Sequence, residues 1–280
     1  MDAIRDMYAQ WAAGNQGSDD QWGDVTAEPR GVDYLEVSAD GVPAMWLRPH
    51  GAAADRVIVA LHGGGFIGGS LYTHRKMYGH LAKRAGVPVL LATYRMVPEH
   101  RYPAQIEDAV TAYRWAAGRN ARAAVAGDSS GGGLAVQVAL REPGVAAVLA
   151  LSPWIDMDPA QPSPTYDSSE SVDLVFTRPM VQGLIQAYLP AGVSGLDPAV
   201  NALHADLSGL PPVFVQCGAE ESGRGDSERF AALAEKAGVE VRLDVFDGQL
   251  HTFQMAAGRS AVADDAIGRF AAWVRPKLGL

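Results

Sequence analysis

A chain of 280 residues with 48% hydrophobic content can bury a full core as one domain, with room for an embellishment. A formal net charge of −9 argues against a nucleic-acid or anionic-membrane surface, since such partners require clustered Lys and Arg facing phosphates. The single cysteine, Cys217, excludes an internal disulfide, and its apolar neighbours in "PVFVQCG" mark it as a small buried hydrophobe.

The N-terminal stretch "MDAIRDMYAQWAAGN" has no basic region followed by an unbroken apolar core, so a cytoplasmic protein is expected. Its Ile4, Met7, Tyr8 and Trp11 recur at helical spacing and predict a short amphipathic helix. No run reaches the roughly 20 apolar residues of a membrane span. Next, "VDYLEVSADGVPAMWLRP" reads as two alternating strands joined at Asp40-Gly41, an antiparallel hairpin. Apolar runs of strand length follow: "RVIVALH", "VPVLLATY", "ARAAVAG", "VAAVLALS", "PPVFVQCG" and "VEVRLDVF". Between most of them lie helical patterns at 73–85, 103–118, 129–140 and 225–238, with a last one near 259–277. Apolar strands alternating with helices predict an α/β fold with a mostly parallel sheet covered on both faces. The rhythm breaks once, at 156–210, which is rich in Pro, Ser and Asp and carries one helical stretch at 178–189. A connection that long inside a compact domain is usually functional, often a lid.

The segment "AVAGDSSGGGLAV" places Gly127-Asp128-Ser129-Ser130-Gly131 at a strand-to-helix junction, in the pattern G-x-S-x-G. A turn this sharp strains its central residue, and glycines two before and two after remove the Cβ atoms that would collide. That makes Ser129 the candidate nucleophile and the Ser130 amide a candidate oxyanion donor. A phosphate cradle fits less well, because "GDSSGGGLA" lacks the Lys-Ser/Thr ending of a P-loop and the spacing of a dinucleotide fingerprint. A second glycine cluster, "LHGGGFIGGS", follows the strand "RVIVA" and offers the amides of Gly63 and Gly64 to the negative charge that forms on an attacked carbonyl. His62 precedes that loop and is expected to brace it.

"HGGGF", "YRMVPEHRYPAQIEDA" and "GDSSGG", in this order, resemble the bacterial hormone-sensitive-lipase-type (family IV) esterases of the α/β-hydrolase superfamily. "LSPWID", "LPPVFVQCGAEE" and "VFDGQLHTFQM" extend the likeness from about residue 32 to the C-terminus, and it is weakest in 157–200. The resemblance implies an α/β-hydrolase fold over 1–280 and carboxylester hydrolysis through a Ser-acid-His triad, with no metal or organic cofactor. It also implies a small helical cap, built from about 1–25 and 157–200. Relatives of this kind often pair through the sheet edge, so a homodimer is among the expectations.

In the order Ser, acid, His that this fold imposes, His251 alone follows the last strand, on a Gly-containing loop. "CGAEESGRGDSERF" offers Glu220, Glu221, Asp226 and Glu228 for the acid; registering the following helix sets Glu221 on the triad position, with Glu220 the alternative. Asp226 and Glu228 are expected to favour the first helical turn through its dipole. Ser130 stands where relatives mostly carry alanine, and its hydroxyl is expected to bond nearby backbone. Asp128 is expected to support the turn, and Arg95, Glu99 and Asp108 to form a partly buried charged network.

Candidate cap residues are Met7, Tyr8, Trp11 and Trp22, then Leu174, Val175, Phe176, Met180, Leu184, Ile185 and Tyr188. Of these, Trp11, Phe176, Leu184 and Tyr188, together with Phe66 of the glycine loop, are the expected substrate contacts. Apolar walls favour short- to medium-chain uncharged esters as the small-molecule partner. Alternatives are a cyclic terpene- or polyketide-like lactone, or a non-catalytic small-molecule receptor on the same fold. Receptors of that kind lose the catalytic histidine, and a peptidase would need an additional domain for which 280 residues leave no room.

Overall fold

Asp40 and Gly41 both take positive φ, +56° and +94°, the pair a tight two-residue turn between twisted strands requires. They close an antiparallel hairpin of β1 (Val32–Ala39) and β2 (Val42–Pro49), with Ala39 opposite Val42. The computed structural model describes residues 3–14, 19–160, 163, 165–169, 172, 173 and 175–280; Leu174 lies outside them. Beyond the hairpin come β3 (Arg56–Leu61), α2 (Leu71–Ala85), β4 (Val89–Ala92), α3 (Ala104–Ala117), β5 (Arg122–Asp128), α4 (Ser130–Arg141) and β6 (Val148–Leu151). The second half adds α5 (Thr165–Ser168), α6 (Arg178–Tyr188), β7 (Val213–Gly218), α7 (Arg224–Lys236), β8 (Val241–Phe246) and α8 (Ala261–Lys277). The amphipathic N-terminal helix is α1 (Ala3–Ala12), with Ile4, Met7 and Tyr8 buried and Trp11 half-buried.

The strands form one sheet in the order β1-β2-β4-β3-β5-β6-β7-β8. β1, β2 and β4 pair antiparallel, and every pairing from β4 through β8 is parallel. Period-two alternation divides the core into two layers. Val57, Val59 and Leu61 of β3 and Val125 of β5 face one apolar cluster with α3 and α4. Ile58 and Ala60 of β3 and Ala124 and Ala126 of β5 face the other, with α1, α2 and α8. Among the described residues no helix is long and apolar enough to cross a membrane.

From β3 the chain moves outward to β4, then returns across β3 to lay down β5 on its other side. The loops after β3 and β5 therefore diverge, and a crevice opens at their carboxyl ends, where open α/β sheets bind ligands. "HGGGF" leaves β3 and "DSSGG" leaves β5 at this switch point. The junction packs backbone on backbone: a methyl at Gly127 would overlap the carbonyl of Gly131, and one at Gly131 would overlap the carbonyls of Leu61 and His62. Gly183, on the exposed face of α6, meets nothing within 4 Å.

These two surroundings give opposite expectations. Gly131→Ala should lower stability by about 3 kcal/mol, through overpacking against backbone that cannot yield. Gly183→Ala should raise it by about 0.5–1 kcal/mol through helix propensity; urea unfolding of both variants against wild type checks the contrast.

Candidate active site

Ser129 sits at φ +52° and ψ −122°, outside the regions L-residues ordinarily occupy. Its N–H donates to Leu151 O at 2.9 Å, and its carbonyl accepts from Gly133 N and Trp154 N, so β6 and α4 hold the strained turn from both sides. The side chain is thereby turned to the crevice. Ser129 Oγ lies 2.9 Å from Nε2 of His251, which the loop after β8 brings in from 122 positions further along the chain.

Glu221 is fully buried beyond that histidine, its Oε2 3.8 Å from His251 Nδ1. The distance is longer than a hydrogen bond, and neither His251 Nδ1 nor Glu221 Oε1 has a hydrogen-bond partner. Glu220, the alternative, turns outward and pairs with Arg5. Ser152, for which sequence reasoning gave no role, links acid and base loops: its hydroxyl donates to Glu221 Oε2 at 2.6 Å and accepts from Thr252 N at 3.1 Å. Gly218 N–H also donates to Glu221 Oε2, at 3.1 Å. The only sequence signal for Ser152 was its place in "LSPW", directly after β6.

The glycine loop differs from expectation by one residue. Gly64 and Gly65 border the cavity that contains Ser129 and His251, whereas Gly63 does not. Gly63 lies behind, where a Cβ would overlap the Asp128 carboxylate, and its carbonyl accepts from His62 Nδ1–H at 2.7 Å. Gly65 N–H donates to Ser130 Oγ at 3.0 Å, so the hydroxyl does bond nearby backbone. His62 braces the loop as expected. Burial lowers its pKa to about 4, which leaves a neutral ring between Gly63 O and the Thr93 hydroxyl, 2.9 Å from Nε2.

Asp128 is the polar foundation of the turn. Burial pushes its carboxyl up, but charge and hydrogen bonds from His74, at 3.2 Å, and Tyr78, at 2.7 Å, outweigh that and hold it below the ordinary carboxylate value. Asp226 shows the reverse. It lies in the first turn of α7, yet it is buried with Oδ2 unpartnered, and burial together with the nearby Asp156 raises its pKa well above the usual range. Its carboxyl is thus harder to ionise than that of an exposed aspartate in a first helical turn. The surface network around Arg95 also differs in membership: Arg95 is exposed and pairs with Asp108 at 2.8 Å and Glu107 at 3.1 Å, with Glu99 outside it.

Around Ser129 and His251 a cavity of about 200 Å³ is walled by Trp11, Trp22, Ile67, Phe176, Met180 and Leu184. A narrower recess of about 20 Å³ continues past Ser129 between Trp154, Tyr166, Val181 and Leu184. Of the five expected substrate contacts, Trp11, Phe176 and Leu184 thus face the cavity. Phe66 and Tyr188 do not, and that expectation is corrected: their rings stack at 4.2 Å in the core, away from Ser129. Phe66 turns inward because its φ of +65° reverses the chain directly after the glycines. Two larger hollows, of about 510 and 680 Å³, contain none of these residues. Among the described residues no group of His, Cys, Asp and Glu is arranged to hold a metal ion.

Residues 58–255 match the alpha/beta hydrolase fold family. An acetyl-hydrolase of Streptomyces hygroscopicus is 34% identical over 233 residues, covering 78% of this chain and 76% of its own. An ethyl acetate hydrolase of Pseudomonas putida is 31% identical over 228 residues, covering 77% and 71%. Among solved structures, an esterase from the bacterial hormone-sensitive lipase family superposes with a TM-score of 0.90 at 34% identity, covering 99% of this chain and 96% of that one.

Asp226 supplies a pH test of the site's electrostatics. A carboxyl whose folded pKa is raised binds a proton in the folded chain that the unfolded chain has released, so its effect is absent below the unfolded value near 4 and destabilises increasingly as pH rises. Asp226→Asn should therefore match wild-type stability at pH 4 and exceed it at pH 7. Urea unfolding at the two pH values checks whether the gap opens in that direction.

Proposed function

The chain belongs to the alpha/beta hydrolase fold family, with the bacterial hormone-sensitive-lipase-type esterases, and is a carboxylic ester hydrolase; from that premise we propose that it works by a serine mechanism through Ser129, His251 and Glu221. His251 Nε2 takes the Ser129 proton as Oγ attacks the ester carbonyl, and a tetrahedral intermediate forms. Its oxyanion meets the amides of Gly64 and Ser130, with Gly65 beside them. His251 then delivers the proton to the departing alcohol, leaving an acyl-enzyme that water cleaves by the same steps in reverse. Glu221 fixes the imidazole tautomer and balances its positive charge. The observation that carries this reading is the 2.9 Å approach of His251 Nε2 to Ser129 Oγ on a strained turn.

We further propose that 1–25 and 157–200 act as a cap on one hydrolase domain, since Trp11 and Trp22 from the first segment and Phe176, Met180 and Leu184 from the second wall the cavity. A cavity of about 200 Å³ falls below the roughly 300–1,000 Å³ of drug-sized sites. Among the described residues its wall holds no Lys or Arg, which favours short-chain uncharged esters over anionic ones.

Chromogenic esters of graded acyl length, with a lactone series beside them, test the reading. Ser129→Ala should lower kcat/KM by about ten-thousandfold or more, and Glu221→Gln by about a thousandfold. Glu220→Gln should stay within about threefold, as a surface ion pair contributes little. Turnover surviving in Ser129→Ala, or equal losses at the two glutamates, would overturn the assignment.

A further inference from the structure

Both chain segments of the cap reach past the cavity and grip the loops that carry the acid and the base. From this we infer that Tyr8, Thr165 and Asp173 are positioning residues for His251 and Glu221, acting through the backbone of those loops. The inference rests on the serine mechanism proposed above.

The grip on the base comes from α1. Tyr8, fully buried, donates its hydroxyl to the carbonyl of His251 itself at 2.7 Å, and lies 3.1 Å from Thr252 Oγ1. Burial keeps this phenol protonated by raising its pKa well above the ordinary value, so the donor persists at any working pH.

The grip on the acid comes from the insertion and falls on Ser222, the residue directly after Glu221. Its N–H donates to Asp173 Oδ2 at 2.9 Å, and its carbonyl accepts from Thr165 Oγ1 at 2.6 Å. Thr165 Oγ1 accepts in turn from Gly225 N at 3.1 Å, bracketing the loop from 222 to 225. Both backbone polar groups of a fully buried residue are thus satisfied by cap side chains. Asp173 has a second contact: its Oδ1 accepts from Phe176 N at 3.1 Å, and the Phe176 ring packs against the His251 imidazole with centroids 4.1 Å apart.

The geometry these contacts govern is the longest link of the relay. Glu221 Oε2 and His251 Nδ1 stand 3.8 Å apart, and the strand that bears the His251 loop, β8, is at the edge of the sheet. Small displacements of either loop decide whether the pair shortens to a hydrogen bond or parts, and a misplacement of about 1 Å can cost a hundredfold in rate. A cap acting only as a lid would instead be felt in the binding of bulky substrates.

Deleting one hydroxyl without changing shape separates these roles. Thr165→Val and Tyr8→Phe should each lower kcat on p-nitrophenyl acetate by about tenfold, with KM within about twofold. They should slow inactivation of Ser129 by phenylmethanesulfonyl fluoride by a similar factor, while Thr165→Ser restores both rates. Thermal unfolding checks that each variant is folded; if Thr165→Val is not, Tyr8→Phe decides by the same two rates. Wild-type rates in both hydroxyl deletions, or a rise in KM alone that grows with ester size, would overturn the inference. Ser129→Ala is run alongside: if it is inert while the deletions keep wild-type rates, only the positioning role falls. If it still turns over ester, the serine mechanism falls and the positioning role with it.

Discussion

A single serine held at positive φ between β5 and α4 is the constraint on which the rest of this molecule depends. The strain is tolerable because the junction is packed from every side by groups that cannot shift independently. Gly127 and Gly131 bring two stretches of backbone within contact of each other and of the end of β3. The same closeness places Gly63 against Asp128, so the glycine loop and the serine turn form one body rather than two loops that happen to meet. Whatever positions Ser129 also positions the glycine loop beside it.

Two buried aspartates near this body show how surroundings, not residue type, decide which way a carboxyl's pKa moves. Asp128 is surrounded by His74 and Tyr78 and stays ionised despite full burial. Asp226, with one oxygen unpartnered and Asp156 nearby, is pushed the other way, towards a raised pKa. Glu221, buried as well, has one oxygen accepting from Ser152 and Gly218 and the other without a partner. An unmade hydrogen bond on a buried carboxylate costs free energy in the resting state. It also leaves Glu221 Oε1 with accepting capacity to spare.

Much of this was legible in the sequence because the signals are local. Asp40-Gly41 announced the hairpin, and the apolar runs fell on strands within two or three residues of their observed ends. Ser129 and His251 were singled out by a steric motif and by chain order, and Glu221 over Glu220 by helix register, and the structure brings these three side chains together. What the sequence hid depends on direction rather than position. Phe66 and Tyr188 are aromatic and near the site by any alignment, but one positive φ turned the first inward, where the second stacks on it. Gly63 and Gly64 are indistinguishable as letters, and only the packing of Asp128 shows which of them stands behind the cavity. Ser152 had no motif to mark it, since its role exists only once β6 is laid beside β5 and β7.

The sheet's asymmetry explains why the cap should matter beyond enclosing substrate. Ser129 and the glycine loop follow β5 and β3 near the middle of the sheet, whereas His251 follows β8, the edge strand, and Glu221 follows β7, which pairs with β6 and β8. Loops at an edge have fewer partners to fix them, and their own sequence is rich in Gly and short polar residues. α1 lies across this gap: Arg5 pairs with Glu220 and donates to Gly248 O at 3.0 Å, one contact on each loop, while Tyr8 holds His251. The insertion after β6 does the same for Ser222 from the other side. The two segments proposed as a cap thereby touch the loops that follow β7 and β8 as well as walling the cavity.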